Sequence, residues 1–407
     1  MKILFLSQIV PYPPHGGVLQ RGYNIIREIA KDNDVYLLAF IHPDTLPSQH
    51  LVDESKRHLE GICKEVHYFS LWPKKSILHK YIAFMIGFFY SLPFSVLAHK
   101  SSDFKNKIAD LIKSEGIDIV HIDTVGLSQY KEYIGDLPTI VTHHNIESSL
   151  MARRSKVESN WFTRYYVAKQ SEKLKRYEID ESKKYFINVM MSASDEKELL
   201  EMSPGVKTAI VPNGVDVDYF KRVEGEEEQA IIYTGGMNMF ANKDAVMHLL
   251  NDIWPLVKTK IPNIKFYIIG QDPPKELLRL SKEEAGIEVL GYVDDIRPYV
   301  AKSAIYVVPL RVGGGTRLKV LDALAQGKAI ISTSIGCEGI EVTDRENIYI
   351  EDSDTEFASS IIELLNNKKR RKILGDNARK LAEDKYAWPS IAKYLIRAYK
   401  NTLPSSP

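Results

Sequence analysis

The chain has 407 residues, with 54 basic against 53 acidic and a net charge of +1. That length suits two domains, each able to bury a full core, and the balanced charge excludes a general nucleic-acid binder. Its two cysteines, Cys63 and Cys337, match no disulfide framework and no metal-ligand spacing, so a reducing, cytosolic setting is the expectation.

The opening MKILFLSQIV reads as one buried strand, Lys2–Val10; it is too short for a signal peptide and lacks a small-residue cleavage site. The loop PYPPHGG follows, and its glycines, Gly16 and Gly17, precede a helical pattern over Val18–Lys31 that carries Arg21. Glycines there let backbone amides approach a diphosphate or a sugar, or simply make a tight turn. The loop is not the G-x-G-x-x-G fingerprint, which argues against a nicotinamide enzyme. Arg21 stays open between a ligand for an anion or acceptor and a solvated helix face.

After the strand Val35–Phe40 comes Tyr81–Ala98, eighteen residues without a charge, the lower limit for a membrane span. Pro93 and two serines interrupt it, and Lys74, Lys75, Lys80 and Lys100 flank it. It reads as a buried core helix, as a surface that docks on a bilayer, or as a span.

A helix over Ser102–Glu115 leads to the strand Ile117–Ile122, with His121 near its end. The strand Thr139–Thr142 runs directly into His143-His144-Asn145. A neutral imidazole at a strand's carboxyl end can donate to or accept from a sugar hydroxyl near pH 7; a structural histidine is the alternative. Adjacent histidines point different ways and no second ligand cluster is near in sequence, so the metal reading is weak. A long charged helical stretch, Ser148–Ser182, and the strands Ile187–Ser192 and Thr208–Val211 complete this half.

An acidic linker, Val223–Gln229, opens a second series, with strands at Ala230–Thr234, Lys265–Gly270, Glu288–Leu290, Ala304–Pro309 and Ala329–Thr333. Strands alternating with amphipathic segments mean a doubly wound parallel sheet in each half. Ligands of such sheets bind at the carboxyl ends of the strands, near topological switch points. The first strand ends in Gly235-Gly236, followed by Asn242-Lys243, where Lys243 reaches a phosphate or is an ordinary surface lysine. In GYVDD, the backbone around Tyr292 and Val293 is placed to read a base edge, and Asp294-Asp295 reads as a helix cap before a metal pair.

The densest segment is RVGGGTRLKVLDALAQG, Arg311 to Gly327. Gly313, Gly314 and Gly315 let the backbone wrap a ligand. Thr316 opens an apolar-periodic helix with Leu318, Leu321, Leu324 and Ala325 at core spacing. Its free N–H groups and dipole suit a phosphate. Lys319 and Asp322 share a face, a cation and an acid fit for a nucleotide diphosphate and its ribose. The last helical pattern, Trp388–Asn401, carries Ile391, Tyr394, Leu395 and Tyr399 and needs a surface to pack on.

The ordered set PPHGG, THHN, VPNGVD, YTGGM, GYVDD and VVPLRVGGGTRLKVLDALAQGKAII, closed by the Trp388 helix, resembles the retaining glycosyltransferases of family four, and within it a subgroup with a GGGTRxK donor loop. The resemblance covers nearly the whole chain. It implies the GT-B fold: α/β, with two Rossmann-like doubly wound domains facing an interdomain cleft. The acceptor domain is then 1–207, with a C-terminal helix 386–402 packing back on it, and the nucleotide-sugar donor domain is 208–385.

By position, the resemblance makes His144 the histidine at the donor sugar and the reacting centre, Gly17 a residue near the donor phosphates, Asp322 the ribose acid, and the amides of Arg317 and Leu318 a cap for the diphosphate; Lys319 and Arg317, cations additional to the family pattern, are read as the catalytic cations. The motifs add Gly236, Lys243, Gly315 and Thr316 to the candidates for the donor diphosphate, and Tyr292 and Val293 for the base. Sugar and acceptor fall to Gly16, Arg21, His121, Asn145, Gly313 and Gly314. Two positions depart from the family. Gly314 stands where a sugar-contacting glutamate is usual, and Met237 where an arginine is usual, with Asn242 or Lys243 at a lysine position.

The implied activity is transfer of a sugar from a nucleoside-diphosphate sugar to an acceptor hydroxyl, with retention and without a metal or other cofactor, in bacterial polysaccharide or glycoconjugate synthesis. A nucleotide-sugar epimerase and a non-catalytic nucleotide-sugar-binding subunit are the alternatives. The acceptor is a glycan or a lipid-linked one; 81–98 offers peripheral membrane contact, at the inner face of the membrane of an otherwise cytoplasmic protein.

Overall fold

The computed structural model describes residues 1–14, 17–71, 86–88, 90–158, 160–223, 225–312 and 317–403. They form two compact units, Met1–Pro212 with Ile391–Pro407, and Asn213–Ser390.

The first unit is built on seven parallel strands: β1 (Lys2–Ser7), β2 (Asp34–Ile41), β3 (Glu65–Ser70), β4 (Ile119–Ile122), β5 (Thr139–His143), β6 (Ile187–Met190) and β7 (Thr208–Ile210), in the order β3-β2-β1-β4-β5-β6-β7. Helices cover both faces of such a sheet, so its strands read as unbroken apolar runs. Ile3 to Leu6 and Val35 to Phe40 are all buried. Leu4, Leu6, Tyr36, Leu38 and Phe40 join Phe104 and Ile108 of the helix Ser102–Glu115 in one core. That helix is capped by the Ser101 hydroxyl, which accepts from Phe104 N, and ends on Gly116 at φ 64°, a left-handed position that glycine adopts without strain.

The second unit repeats the plan with β8 (Glu228–Thr234), β9 (Lys265–Ile269), β10 (Ile287–Gly291), β11 (Ser303–Val308), β12 (Ala329–Ser332) and β13 (Tyr349–Ile350), all parallel, in the order β10-β9-β8-β11-β12-β13. Both sheets reverse direction once, between β1 and β4 and between β8 and β11. These switch points open a crevice at the carboxyl ends of the strands.

The structure departs from the sequence reading in several places, among them the two-residue strand β13, which the sequence does not suggest. β3, Glu65–Ser70, escapes a search for apolar runs because polar residues alternate along it, with only Val66 fully buried. The charged stretch Ser148–Ser182 is two helices, Glu147–Val157 and Trp161–Ser182, the second started by Asn160, whose side chain accepts from Phe162 N and Thr163 N. The first unit runs to Pro212 rather than 207, because β7 pairs with β6. The final helix, Trp388–Thr402, is assigned to the first unit from Ile391 onward. Most of the first half of the uncharged segment 81–98 lies outside the described residues; its end is the short helix Phe94–Ala98 with Val96 and Leu97 buried. Among the described residues no helix is long and apolar enough to cross a membrane.

Candidate active site

At the switch point of the second sheet, β8 ends at Thr234 and passes into Gly235-Gly236, while β11 leads toward the glycine loop and the helix Leu318–Ala325. Gly313, Gly314, Gly315 and Thr316 lie outside the described residues. The helix they precede starts at Leu318, with Arg317 before it supplying no capping side chain. The first N–H groups of a helix have no intrahelical acceptor, so those of Leu318 and Lys319 remain for other partners.

Lys319, in the first turn, folds back over β8. Its Nζ donates to Tyr233 Oη and Asn242 Oδ1, each at 2.8 Å, and lies 4.2 Å from the centre of the Tyr233 ring. Tyr233 Oη donates to the same Asn242 oxygen at 2.7 Å, and Asn242 Nδ2 donates to Gly236 O at 2.9 Å. The ammonium therefore rests directly on the Gly235 backbone. A Cβ on Gly235 would sit 2.5 Å from Lys319 Nζ and would push the ammonium aside.

Burial pulls the Lys319 ammonium down to about 7, the nearby Arg317 guanidinium lowers it further, and Asp322 opposes both. Burial likewise pushes the Asp322 carboxyl up to about 7, with Lys319 holding it back. Desolvation penalises the charged form of each group, so this cation and this acid gain from any ligand that restores a partner. Tyr306, which shares a hydrogen bond with Thr234, closes the floor of the same region and feels the Asp322 charge.

The other donor candidates divide. Lys243 is exposed on the helix Phe240–His248, and the side chain turned inward is its neighbour Asn242. Met237 is buried, 4% exposed. Gly236 leaves no room for a Cβ, which would meet Asn238 Oδ1 at 2.7 Å. Tyr292 is 72% exposed and Val293 partly so. Asp295 is an ion-pair partner ahead of the helix Arg297–Lys302, whose N-cap is Ile296: its Oδ1 accepts from Arg297 N and Nε, and its Oδ2 from Nη2 at 2.8 Å. Elsewhere in this unit His248, Asp252 and Asp354 bring three donor atoms within 4.8 Å. Both ring nitrogens of His248 are taken by those carboxylates, at 2.9 Å each, an arrangement that ties helices together.

At the first sheet's switch point, β4 ends in Asp123 and β5 in His143-His144. His144 Nε2 lies 3.4 Å from Asp123 Oδ1, and both side chains are nearly buried. The sequence reading missed Asp123, although an acid directly after an apolar strand is a visible signal. Asn145 Nδ2 is 3.4 Å from Glu147 Oε1. The backbone beyond is pinned by Glu178, fully buried, whose carboxylate accepts from Glu147 N at 2.9 Å and from the amide and hydroxyl of Ser148. Burial raises the Glu178 carboxyl to about 7.

Arg21 and His121 are not on a solvated face. Arg21 is 3% exposed; it donates to Pro212 O at 2.7 Å and Val211 O at 3.0 Å, fastening the end of the VPN segment. His121 is held between Tyr399 Oη, 2.6 Å from Nδ1, and Thr142 Oγ1, 2.8 Å from Nε2. Burial depresses its pKa to about 3. Gly17 is exposed at the start of the helix Gly17–Ile29, and Gly16 lies outside the described residues.

Residues 228–367 match the family model described as Glycosyl transferases group 1. An uncharacterized 44.6 kDa protein in the cps region of Klebsiella pneumoniae is 24% identical over 95% of this chain and 96% of its own. An uncharacterized glycosyltransferase of Methanocaldococcus jannaschii is 21% identical over 98% of each. Among solved structures, Anabaena HepE in complex with UDP superposes with a TM-score of 0.69 at 14% identity, over 98% of this chain and 100% of that one. The chain thus carries a glycosyl transferases group 1 domain, has glycosyltransferase homologues along almost its whole length, and shares its two-domain Rossmann-like architecture with GT-B enzymes.

Proposed function

We propose that the chain transfers a sugar from a nucleoside-diphosphate sugar to an acceptor hydroxyl, with retention at the anomeric carbon and without a metal, in polysaccharide or glycoconjugate synthesis. The observation that carries this reading is the Lys319 ammonium, held over Gly235 by Tyr233 and Asn242 with its pKa drawn down to about 7. Asn242, which with Lys243 is a candidate for the family's lysine position, turns inward, and Lys319 brings a cation to it from the glycine-loop side.

The demanding step is departure of the nucleoside diphosphate. Negative charge grows on the leaving oxygen, and a preoriented cation in a dry site stabilises it most effectively. Lys319 and Arg317 supply that charge, joined by the leading amides of the helix Leu318–Ala325. Asp322, four residues beyond the helix start, accepts from the ribose hydroxyls and becomes fully ionised in doing so. His144, whose Nε2 lies 3.4 Å from Asp123, contacts the sugar. The leaving phosphate takes the acceptor's proton on the same face of the ring, so no enzymic nucleophile is required. The Anabaena protein's complex with UDP supports a uridine donor as the first to try.

A thermal-shift panel of nucleoside diphosphates and their sugar nucleotides tests the reading. One nucleotide series should raise the midpoint by several degrees without added metal, and the shift should vanish in Lys319→Ala. No shift with any member of the panel would remove the donor assignment.

A further inference from the structure

In the first unit, the helices Glu147–Val157 and Trp161–Ser182 pack on each other, and aromatic side chains face outward beside the turn that joins them. Trp161 is 76% exposed, and Phe162 and Tyr165 are exposed with it. Spacings of three and four put Tyr165 on the same helix face as Trp161 and Phe162. The Trp161 and Phe162 rings meet edge to face, with centres 5.8 Å apart. The opposite face of this helix, with Val167, Gln170, Ser171 and Leu174, is the buried one, so the outward rings take no part in the packing beneath.

Phe88, also exposed, lengthens the strip, its ring centre 6.4 Å from that of Tyr165. Lys173 Nζ fastens this neighbouring segment by donating to Gly87 O at 2.9 Å and Phe88 O at 3.0 Å. Single exposed apolar residues are ordinary, but a contiguous strip marks an interaction surface.

The charges around it give the partner's chemistry. Between Ser148 and Ser171 the chain carries Arg153, Arg154, Lys156, Arg164 and Lys169 against one acid, Glu158. Lys169 pairs with Glu172 at 3.1 Å. Arg153, Arg154, Lys156 and Arg164 are exposed and form no ion pair among the described residues. A second copy meeting this face with its own would set those cations against one another; an anionic surface attracts them. Tryptophan and tyrosine settle where hydrocarbon meets lipid headgroups, and arginine and lysine reach from an apolar strip to the phosphates beside it. We propose that this helix pair docks the chain on an anionic lipid bilayer, with Trp161, Phe162 and Tyr165 among the headgroups and Arg153, Arg154, Lys156 and Arg164 on the phosphates. The proposal does not depend on the glycosyltransferase reading.

The test is flotation of the full chain with vesicles of phosphatidylcholine, alone or mixed with phosphatidylglycerol, with tryptophan emission recorded in parallel. Wild type should float with the mixed vesicles only, and its emission should shift to the blue. A Trp161→Ser, Phe162→Ser double variant should bind about tenfold more weakly while melting as wild type does. Arg153→Gln and Arg154→Gln should each cost about fivefold and flatten the salt dependence. Trp161→Phe should still float but lose the blue shift. Absence of flotation, equal flotation with neutral vesicles, full binding by the double variant, or a blue shift kept by Trp161→Phe would overturn the proposal. A wild-type dimer that the double variant abolishes would give this face to a second copy instead.

Discussion

Each sheet places a cluster of polar side chains at its switch point, and the two clusters differ in which groups burial displaces. In the first unit Arg21 rests on two carbonyls and His121 lies between Tyr399 and Thr142, whereas His144 Nε2, 3.4 Å from Asp123 Oδ1, and the second Asp123 oxygen make no hydrogen bond. Its buried histidines are held neutral, His121 at about 3 and His143 at about 4, by desolvation. In the second unit Lys319 and Asp322 are both displaced to about 7, and Asp322 has no side-chain hydrogen bond among the described residues. Groups whose charged form is penalised by burial are where a charged ligand gains most from binding.

The contrast breaks most sharply at Lys319. Lys319→Ala should lower kcat/KM on the order of 10²–10³-fold, the loss seen when one preoriented charge-stabilising donor is removed. Steady-state kinetics at saturating acceptor measure it, and turnover near that of wild type would end the charge argument.

The buried His121 imidazole should instead reveal itself in acid. The folded pKa of His121 lies below its unfolded value, so between those values the unfolded chain binds more protons and stability falls with falling pH. Going from pH 7 to pH 5 should cost about 2 kcal/mol through His121 alone. Urea titrations at the two pH values check this; a His121→Asn chain, weaker at pH 7, should lose correspondingly less on acidification. An unchanged pH dependence would contradict the buried neutral imidazole.

Asp322→Asn keeps the shape and removes the charge. It should weaken UDP binding about tenfold, the scale of a hydrogen bond to an ionised group, with kcat nearly kept. Calorimetry showing wild-type affinity would remove Asp322 from the ribose.

The smallest effect is the most diagnostic of pairing. A diphosphate favours charged Lys319 and ribose hydroxyls favour ionised Asp322, so UDP affinity should peak near pH 7. It should fall roughly threefold one unit to either side. Binding should take up protons at pH 8 and release them at pH 6, which calorimetry in buffers of different ionisation heat resolves. A flat profile would mean that neither group meets the ligand.

The alternation of apolar runs and amphipathic helices was enough to read eleven strands close to where they lie, because a parallel sheet covered on both faces must be apolar throughout. β3 was not legible: a strand with polar residues alternating along it looks like a loop. The break at Glu158–Asn160 was missed because both flanking helices are equally charged, and only the Asn160 cap marks the restart. Of the site, the segment Arg311–Gly327 drew attention through its glycines. Tyr233, buried within the run AIIYT, read as core, and Asp123 was overlooked beside His121.

Periodicity and motif order, local properties of the chain, thus determined the two parallel sheets, where each strand ends, and which loops carry the chemistry. Charge state and pairing were decided only by the tertiary structure. Whether Arg21 is a ligand or a clamp, and whether Asn242 or Lys243 turns inward, depends on residues up to 191 positions away. So does whether Lys319 rests on solvent or on the Gly235 backbone. Desolvation and hydrogen-bond geometry exist only once those distant segments are packed together.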